Sequence, residues 1–410
     1  MAKTLVQRYE AIVRLIKICS AFCGANIFNP TYMMNILTWT VIIFINLYFA
    51  FTGYTLYVNI YIEKDWPNIL QVLCCLGSAM QGYCKLLNAI GNKDNIRYLT
   101  DELREIYRKY DLKHTDYRCC LQKSINTVNR FIKCMAIIHF SITMSLIAVV
   151  PFHRVVFNER IFVMQFLLPG IDPNTAYGYL VMNCMHCICI LFGSFGNFAA
   201  DLCFFTIVSH VPLFKDLLRC KCQDLNDILE GGKDVEQEGI GDCQILLKDI
   251  FQWHQKYMIY ITTVKDNYFW VLIIEMGTVA LSLASTLFCL ILGTWPGGLT
   301  YLAYCLMMLY IYCGLGTLVE VTNDGFIDSG YTDVIWYKLP MVERKMIQMM
   351  VMMAQNTGGL TIGSVVPLTM NTGLQLTKAI YTMTMMLIIF LNKRHQKVSV
   401  KIRLIFFFKG

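Results

Sequence analysis

The sequence contains few charged residues. Asp, Glu, Lys and Arg together make up 15% of the 410 residues, whereas roughly 25% is usual for a soluble globular protein. Hydrophobic residues account for 56%, and a soluble fold of this composition would expose large apolar patches to water. The net charge of +7 is not gathered into a basic patch interleaved with aromatic residues. We therefore predict no nucleic-acid-binding surface.

Signatures of enzymes, metal sites and disulfide frameworks are also missing. The sequence has no phosphate-binding loop and no nucleophile–base–acid constellation, so we expect no enzymatic activity and no cofactor. His210, Cys220 and Cys222 do not have the spacing of a closed zinc site. None of the 18 cysteines falls in the three connections that we assign below to the extracellular side. Because disulfides form on that oxidising side, we predict none.

The sequence does contain long apolar stretches. About 20 apolar residues suffice for a helix to cross a bilayer. Within lipid the backbone must hydrogen-bond to itself, which favours helices over open strands. The sequence therefore predicts an all-α membrane protein with seven transmembrane helices. The stretches are 36–58, 68–90, 131–151, 178–208, 267–292, 299–320 and 359–391.

The distribution of Lys and Arg predicts the orientation of these spans. Most of these residues lie in the N-terminal segment 1–35 and in the second and fourth connections, 91–133 and 209–265. Positive residues favour the cytoplasmic side, so the N-terminus is predicted to be cytoplasmic and the C-terminus extracellular. The basic tail 392–410 would by itself favour the opposite side, and we assign it no role.

Two connections are predicted to extend the spans as helices into the cytoplasm, at about 91–133 and 242–265. A Gly-rich, acidic stretch at 221–241 predicts a mobile loop between spans four and five. In the first extension, apolar residues recur every three or four positions, as on one face of a helix. They are Ile96, Leu99, Leu103, Ile106, Tyr107 and Tyr110.

Residues 36–320 are thus predicted to form a bundle of six spans, followed by a cytoplasmic region at 321–358. That region contains a methionine-rich stretch, 341–355, which is too short and too charged to span a bilayer. Methionine-rich faces occur both in protein cores and at subunit contacts. We keep both interpretations open for this helix.

The last predicted span carries polar residues at helical spacing. Polar groups in hydrocarbon are costly unless they face protein or water. They therefore either hydrogen-bond to neighbouring helices or line an aqueous pathway. Large apolar residues further along the same face, at Met385, Met386, Ile389 and Phe390, could gate such a pathway by dewetting. The polar residues are Ser364, Asn371, Gln375, Lys378 and Thr382.

The C-terminal part of the chain resembles insect odorant receptors, which are the odour-tuned subunits of ligand-gated cation channels. The resemblance covers the whole chain in length and span number, and His254 also matches a family position. It is most specific in Trp336-Tyr337-x-Leu339-Pro340, Ala354-Gln355, Leu360-Thr361-x-Gly363, Pro367-Leu368 and Lys378-Ala379-x-Tyr381.

This resemblance implies a heterotetramer with the odorant co-receptor in the plasma membrane of sensory neurons. Each subunit would contribute its last span to a central pore for Na⁺, K⁺ and Ca²⁺, with the gate at Met386 and Phe390. The expected pore and gate residues are Gln375, Lys378, Thr382, Met386, Ile389 and Phe390. The expected subunit anchor contains Trp336, Tyr337, Pro340, Met346, Met349, Met350 and Met353.

The resemblance also implies a ligand cavity in the outer half of the bundle, among spans two, three, four and six. Such cavities are mostly apolar with a few orienting polar groups, which suits a small, volatile, mostly apolar odorant. From depth and helical face we predict that its walls contain Leu73, Gly77, Met80, Ser145, Val149, Met182, His186, Tyr301, Tyr304 and Met308.

Two other classes of membrane protein remain as alternatives. A G-protein-coupled chemoreceptor would bind ligands without a pore, but the predicted cytoplasmic N-terminus and the missing outer disulfide disfavour it. A transporter would use intramembrane carboxylates, and Glu275 and Asp201 lie within predicted spans. The sequence shows no internal repeat or broken helix pair of the kind that transporters use.

Overall fold

Long helices make up most of this computed structural model. It describes residues 4–29, 31–164, 166–230, 238–293, 295, 297–386 and 389. We number the helices in chain order; the last of them, α11, comprises residues 370–386. The others are α1 (Leu5–Phe22), α2 (Ile36–Tyr57), α3 (Trp66–Gly91), α4 (Lys93–Tyr110), α5 (Thr115–Val156), α6 (Ala176–Ser209), α7 (Val211–Glu230), α8 (Glu238–Leu292), α9 (Gly298–Thr332) and α10 (Met341–Gln355).

The N-terminal segment contains a helix that was not predicted from the sequence. α1 begins with a capping box, in which Thr4 and Gln7 each bond the other's backbone N–H through their side chains at 3.2 Å. Its apolar residues recur on one face, which packs against α6, α4 and α5. The Tyr9 hydroxyl donates to the Thr100 carbonyl of α4 at 2.9 Å. This segment is therefore part of the helical bundle.

The first predicted cytoplasmic extension is two helices and not one. All six apolar positions predicted to share a face on α4 are buried, which confirms that periodicity. Residues 111–114 then reverse the chain before α5 begins at Thr115. The rings of Tyr110 and Tyr117 stack across this turn with centroids 5.3 Å apart, so the turn is fixed by packing that the helical period alone does not show.

The mobile loop predicted at 221–241 is wrong in its first half. α7 continues to Glu230 because Leu218, Cys222 and Leu225 form a buried stripe at helical spacing. Lys221 on the same helix pairs with Asp249 of α8. Residues 231–237 lie outside the described residues. The second predicted extension, 242–265, is confirmed as helical and is continuous with span five in α8.

Five segments in the described part of the chain are long and apolar enough to cross a membrane. They are Ile36–Glu63, Thr115–Val156, Ala176–Glu230, Cys243–Leu292 and Gly298–Thr332. The predicted second span forms α3, whose 26 residues measure about 39 Å at 1.5 Å per residue. α3 packs along α8, where Gln81 Nε2 donates to Thr278 Oγ1 at 2.8 Å. Since its polar residues meet protein, α3 does not need an entirely apolar surface.

The predicted seventh span is also wrong in its first part. Residues 361–367 form a two-stranded hairpin, β1 (Thr361–Ile362) and β2 (Val366–Pro367). Gly363 and Ser364 turn the chain at φ values of 62° and 61°, so Ser364 does not belong to the polar face of the helix. Thr369 caps α11 by accepting from the Thr372 N–H at 3.3 Å. The tail 392–410 lies outside the described residues.

The predicted cytoplasmic anchor region 321–358 is continuous with span six. α9 continues through residue 320 to Thr332, and a 3₁₀ turn at Trp336–Lys338 then leads into α10. α10 has the predicted bounds of 341–355, and it packs against α9 and α8. Asn323 of α9 fixes the segment after α10 by donating to the carbonyl of Thr357 at 3.0 Å and to that of Gly358 at 3.2 Å.

Candidate functional site

A cavity of about 390 Å³ lies within the bundle, lined mainly by α2, α3, α5, α6 and α9. At one end, which we call the loop end, its wall includes Val163 and Met164 of the α5–α6 connection and Trp295. At the opposite end it reaches Ile16 of α1 and Ile96 of α4. The volume falls within the range of small-molecule sites, roughly 300–1,000 Å³, and the lining is mostly apolar.

Polar side chains interrupt the apolar wall midway along the cavity. His139 Nε2 of α5 lies 2.8 Å from Ser194 Oγ of α6. Asn197 Nδ2, one turn further along α6, donates to the carbonyls of Gly193 at 3.1 Å and Ser78 at 3.4 Å. Because both partners of Nδ2 are carbonyl oxygens, the orientation of the amide is determined. These groups give an otherwise apolar cavity a polar midsection.

Next to this midsection lies a buried ionic cluster, which we call the charge triad. It comprises Lys85 of α3, Asp201 of α6 and Glu275 of α8. Lys85 Nζ is 2.6 Å from Asp201 Oδ1 and 2.8 Å from Glu275 Oε2, and all three side chains are at most 4% exposed. The Tyr312 hydroxyl of α9 donates to Asp201 Oδ1 at 2.6 Å. Lys85 and Tyr312 also line the cavity.

The triad joins α3, α6 and α8 through charges that would be very costly if unpaired in an apolar interior, and the Tyr312 hydroxyl attaches α9 to it. Both carboxylates were recognised from the sequence as intramembrane candidates, whereas Lys85 was overlooked. Since a buried carboxylate needs a cation, a lysine in a neighbouring predicted span was the available signal. The pairing gives the two carboxylates a structural explanation that does not require a transport function.

Sequence comparison identifies the family. The sequence model described as 7tm odorant receptor matches residues 65–381, which is more than half of the chain. The chain belongs to the 7tm odorant receptor family. It is therefore a membrane receptor and not an enzyme, and the resemblance seen in its C-terminal motifs is confirmed.

Relatives and solved structures agree with this assignment. A candidate odorant receptor of Drosophila melanogaster, 83c, is 26% identical over 393 residues, covering 93% of this chain and 97% of the relative. The structure of olfactory receptor OR5 from Machilis hrabei in complex with eugenol aligns with a TM-score of 0.76 at 15% identity, over 94% of this chain and 99% of that chain. A second OR5 structure gives 0.70 at 15% identity, over 92% and 98%. The predicted all-α, seven-transmembrane fold is confirmed.

The structure places two of the ten predicted ligand-binding residues in the receptor's cavity wall, Tyr301 and Tyr304. Met182 and His186 are buried instead behind the α5–α6 connection, where His186 Nε2 lies 3.2 Å from the Phe166 carbonyl. Gly77 lies against Ser282 of α8. The eight predicted residues outside the wall are Leu73, Gly77, Met80, Ser145, Val149, Met182, His186 and Met308.

The main difference lies in which face of α3 meets the cavity. The residues predicted from the sequence are Leu73, Gly77 and Met80, whereas the wall contains Ser78, Gly82 and Lys85. The two sets differ by a rotation about the helix axis, and each recurs every three or four residues. α3 packs against α8, α6 and α2 at once, so its pattern of polar and apolar residues does not by itself identify the face that meets the cavity. Lys85 was the residue that could have done so.

The predicted pore residues of the receptor share one exposed face of α11. Gln375, Lys378, Thr382 and Met386 are all exposed, while the opposite face packs on α9, and Ile389, beyond the end of α11, is exposed as well. There Tyr310 Oη lies 3.2 Å from Thr377 Oγ1, and the backbone at Gly373 closely approaches the Cys313 side chain. Phe390 lies outside the described residues. The pore and gate roles themselves remain predictions.

The predicted anchor residues divide into two groups. Met350 is 1% exposed and packs near Gly330 of α9, and Met346 is half-buried. The remaining anchor residues are exposed on the isolated subunit, and they are Trp336, Tyr337, Pro340, Met349 and Met353. The buried methionines of this helix thus fit the interpretation as protein core. The exposed ones fit the interpretation as a subunit contact.

Proposed function

We propose that this receptor is the odorant-binding subunit of a ligand-gated, non-selective cation channel that passes Na⁺, K⁺ and Ca²⁺. It would assemble with odorant co-receptor subunits as a heterotetramer in the plasma membrane of sensory neurons, with its N-terminus cytoplasmic and its C-terminus extracellular. A small, mostly apolar odorant would occupy the cavity, and α11 would line the pore with a gate at Met386 and Phe390. The complex of Machilis OR5 with eugenol supports a ligand of this size.

One observation carries the proposal: α9 belongs to both the cavity and the contact with α11. Tyr301, Tyr304 and Tyr312 line the cavity from one side of α9. On its other side, Tyr310 contacts Thr377 of α11, and Gly316 lies directly against the Leu368 backbone that precedes α11. A ligand that binds one position of α9 more tightly would shift the population of α11 positions.

Patch-clamp recording tests this function. We expect odorants to evoke a fast, non-selective cation current in cells that express this chain together with an insect odorant co-receptor, and no current from the chain alone. Epitope tags, read with and without permeabilisation, give the side of each terminus in the same cells. An extracellular N-terminus, or odorant responses that need a G protein, would overturn the channel proposal. Odorant-driven substrate uptake without current would favour a transporter.

A second prediction tests whether the exposed anchor residues form a subunit contact. Met353→Asp is expected to reduce co-purification with the co-receptor at least fivefold, since interface cores are depleted of charged residues. The receptor itself should still fold, because Met353 is 56% exposed. Met350→Asp, at a position 1% exposed, is the matched comparison and should abolish folding of the receptor. If Met353→Asp co-purifies like the wild type, Met353 is not part of a subunit contact.

A further inference from the structure

Hydrogen-bond donors in the polar midsection of the cavity are mostly already occupied. The Asn197 amide donates to two backbone carbonyls, and the His139 ring pairs with Ser194. The Lys85 ammonium is held between Asp201 and Glu275 at 2.6 and 2.8 Å. These groups make the midsection polar, but each of them already bonds protein atoms. A ligand that competes for them has to break contacts that are already made.

Tyr304 of α9 is the exception. Its ring lines the cavity and lies against the rings of His139 and Tyr301, with centroids 5.7 and 6.2 Å away. Among the residues that the structure describes, its hydroxyl has no hydrogen-bond partner. The neighbouring Tyr301 hydroxyl, in contrast, donates to the Cys74 carbonyl at 2.8 Å and contacts Ser78 Oγ at 2.6 Å. A hydroxyl lining a largely apolar cavity without a protein partner is suited to bond a ligand.

We propose that the cavity selects molecules that carry a hydrogen-bond-accepting oxygen, such as aromatic or aliphatic ketones, esters and ethers, and that the Tyr304 hydroxyl donates to this oxygen. The apolar part of the ligand would extend towards the loop end, where Val163 and Met164 supply apolar wall. The inference rests on the proposed function only in taking this cavity as the odorant site. It goes further by naming the ligand class and the residue that selects it.

Two molecules of nearly identical shape test the selection directly. 4-Methylacetophenone carries an acetyl group where p-cymene carries an isopropyl group, so the pair differs mainly in one acceptor oxygen. Binding is measured as the rise in melting temperature of the purified full-length receptor, which does not depend on current. We expect the wild type to bind the ketone roughly tenfold more tightly than the hydrocarbon, the size expected for one net hydrogen bond.

Tyr304→Phe removes only the hydroxyl and should abolish this preference. We expect its ketone affinity to fall roughly tenfold, with p-cymene affinity unchanged. The ligand-free melting temperature should stay at the wild-type value, because no protein hydrogen bond is lost. Tyr331→Phe is the matched control on the same helix, since Tyr331 is 66% exposed and lies outside the cavity wall. It should keep the wild-type ratio of ketone to hydrocarbon affinity.

The outcomes separate the ligand class from the channel function. Equal affinities for the two molecules in the wild type, an unchanged ratio in Tyr304→Phe, or no binding of the ketone at saturation would each overturn the inference. A Tyr304-dependent preference without any evoked current would support the inference and contradict the channel proposal. Current evoked equally by both molecules would support the channel proposal and contradict the inference about the ligand class.

Discussion

Lys85→Met is expected to prevent the receptor from folding stably. The substitution keeps the length of the side chain but removes the cation between Asp201 and Glu275, whose side chains are 2% and 1% exposed. Removing one partner of a buried ion pair costs about 3–5 kcal/mol, because the remaining charge is left unpaired. That is a large share of the roughly 5–15 kcal/mol that separates folded from unfolded protein. Size-exclusion chromatography of the detergent-solubilised receptor should show aggregation or loss of the monodisperse peak.

Two comparisons identify the cause. Neutralising the whole triad, as in Lys85→Met with Asp201→Asn and Glu275→Gln, should restore much of the monodisperse peak, since no buried charge then lacks a partner. Lys123→Met breaks a pair in which the lysine is 75% exposed and 3.8 Å from Asp216. Exposed pairs contribute about 0–1 kcal/mol, so this variant should behave as the wild type. A monodisperse, thermally stable Lys85→Met receptor would show that the triad does not hold the bundle together.

Gly316→Ala is expected to disrupt the attachment of α11 to α9. A Cβ atom at this position would lie 1.8 Å from the Leu368 carbonyl oxygen, which is backbone and cannot rotate away. Leu368 is fully buried just before α11, so the hairpin and the start of α11 must shift. Overpacking of this kind typically costs about 1–3 kcal/mol. We expect odorant-evoked current to fall at least tenfold while surface expression is largely retained.

Gly314→Ala supplies the control on the same helix. The nearest atom to a Cβ there is Met370 Sδ at 3.8 Å, an ordinary contact. Alanine also favours a helix over glycine by about 1 kcal/mol, so this variant should give currents of wild-type size. If Gly316→Ala and Gly314→Ala conduct equally well, close packing of Leu368 on α9 is not required for gating.

Four buried residues of the C-terminal motif lie where α9, α10, the hairpin and α11 join. Leu339, Ala354, Leu360 and Leu368 are all at most 3% exposed, and Gly363 makes the hairpin turn at positive φ. Side chains at such joints have few acceptable replacements, because a change in volume displaces a whole helix. These buried motif residues are therefore explained by the fold and not by the ligand.

The sequence by itself determined the membrane class, the helical content and the packing face of α4, since composition and periodicity are local properties of the chain. It also indicated the family. The tertiary structure alone decided which face of α3 meets the cavity, that Lys85 pairs with carboxylates from two other helices, and that the chain turns at 361–367 before α11. The first two of these depend on contacts between residues far apart in the sequence. α3 packs against α8, α6 and α2, so its own residue pattern does not show which face meets which neighbour.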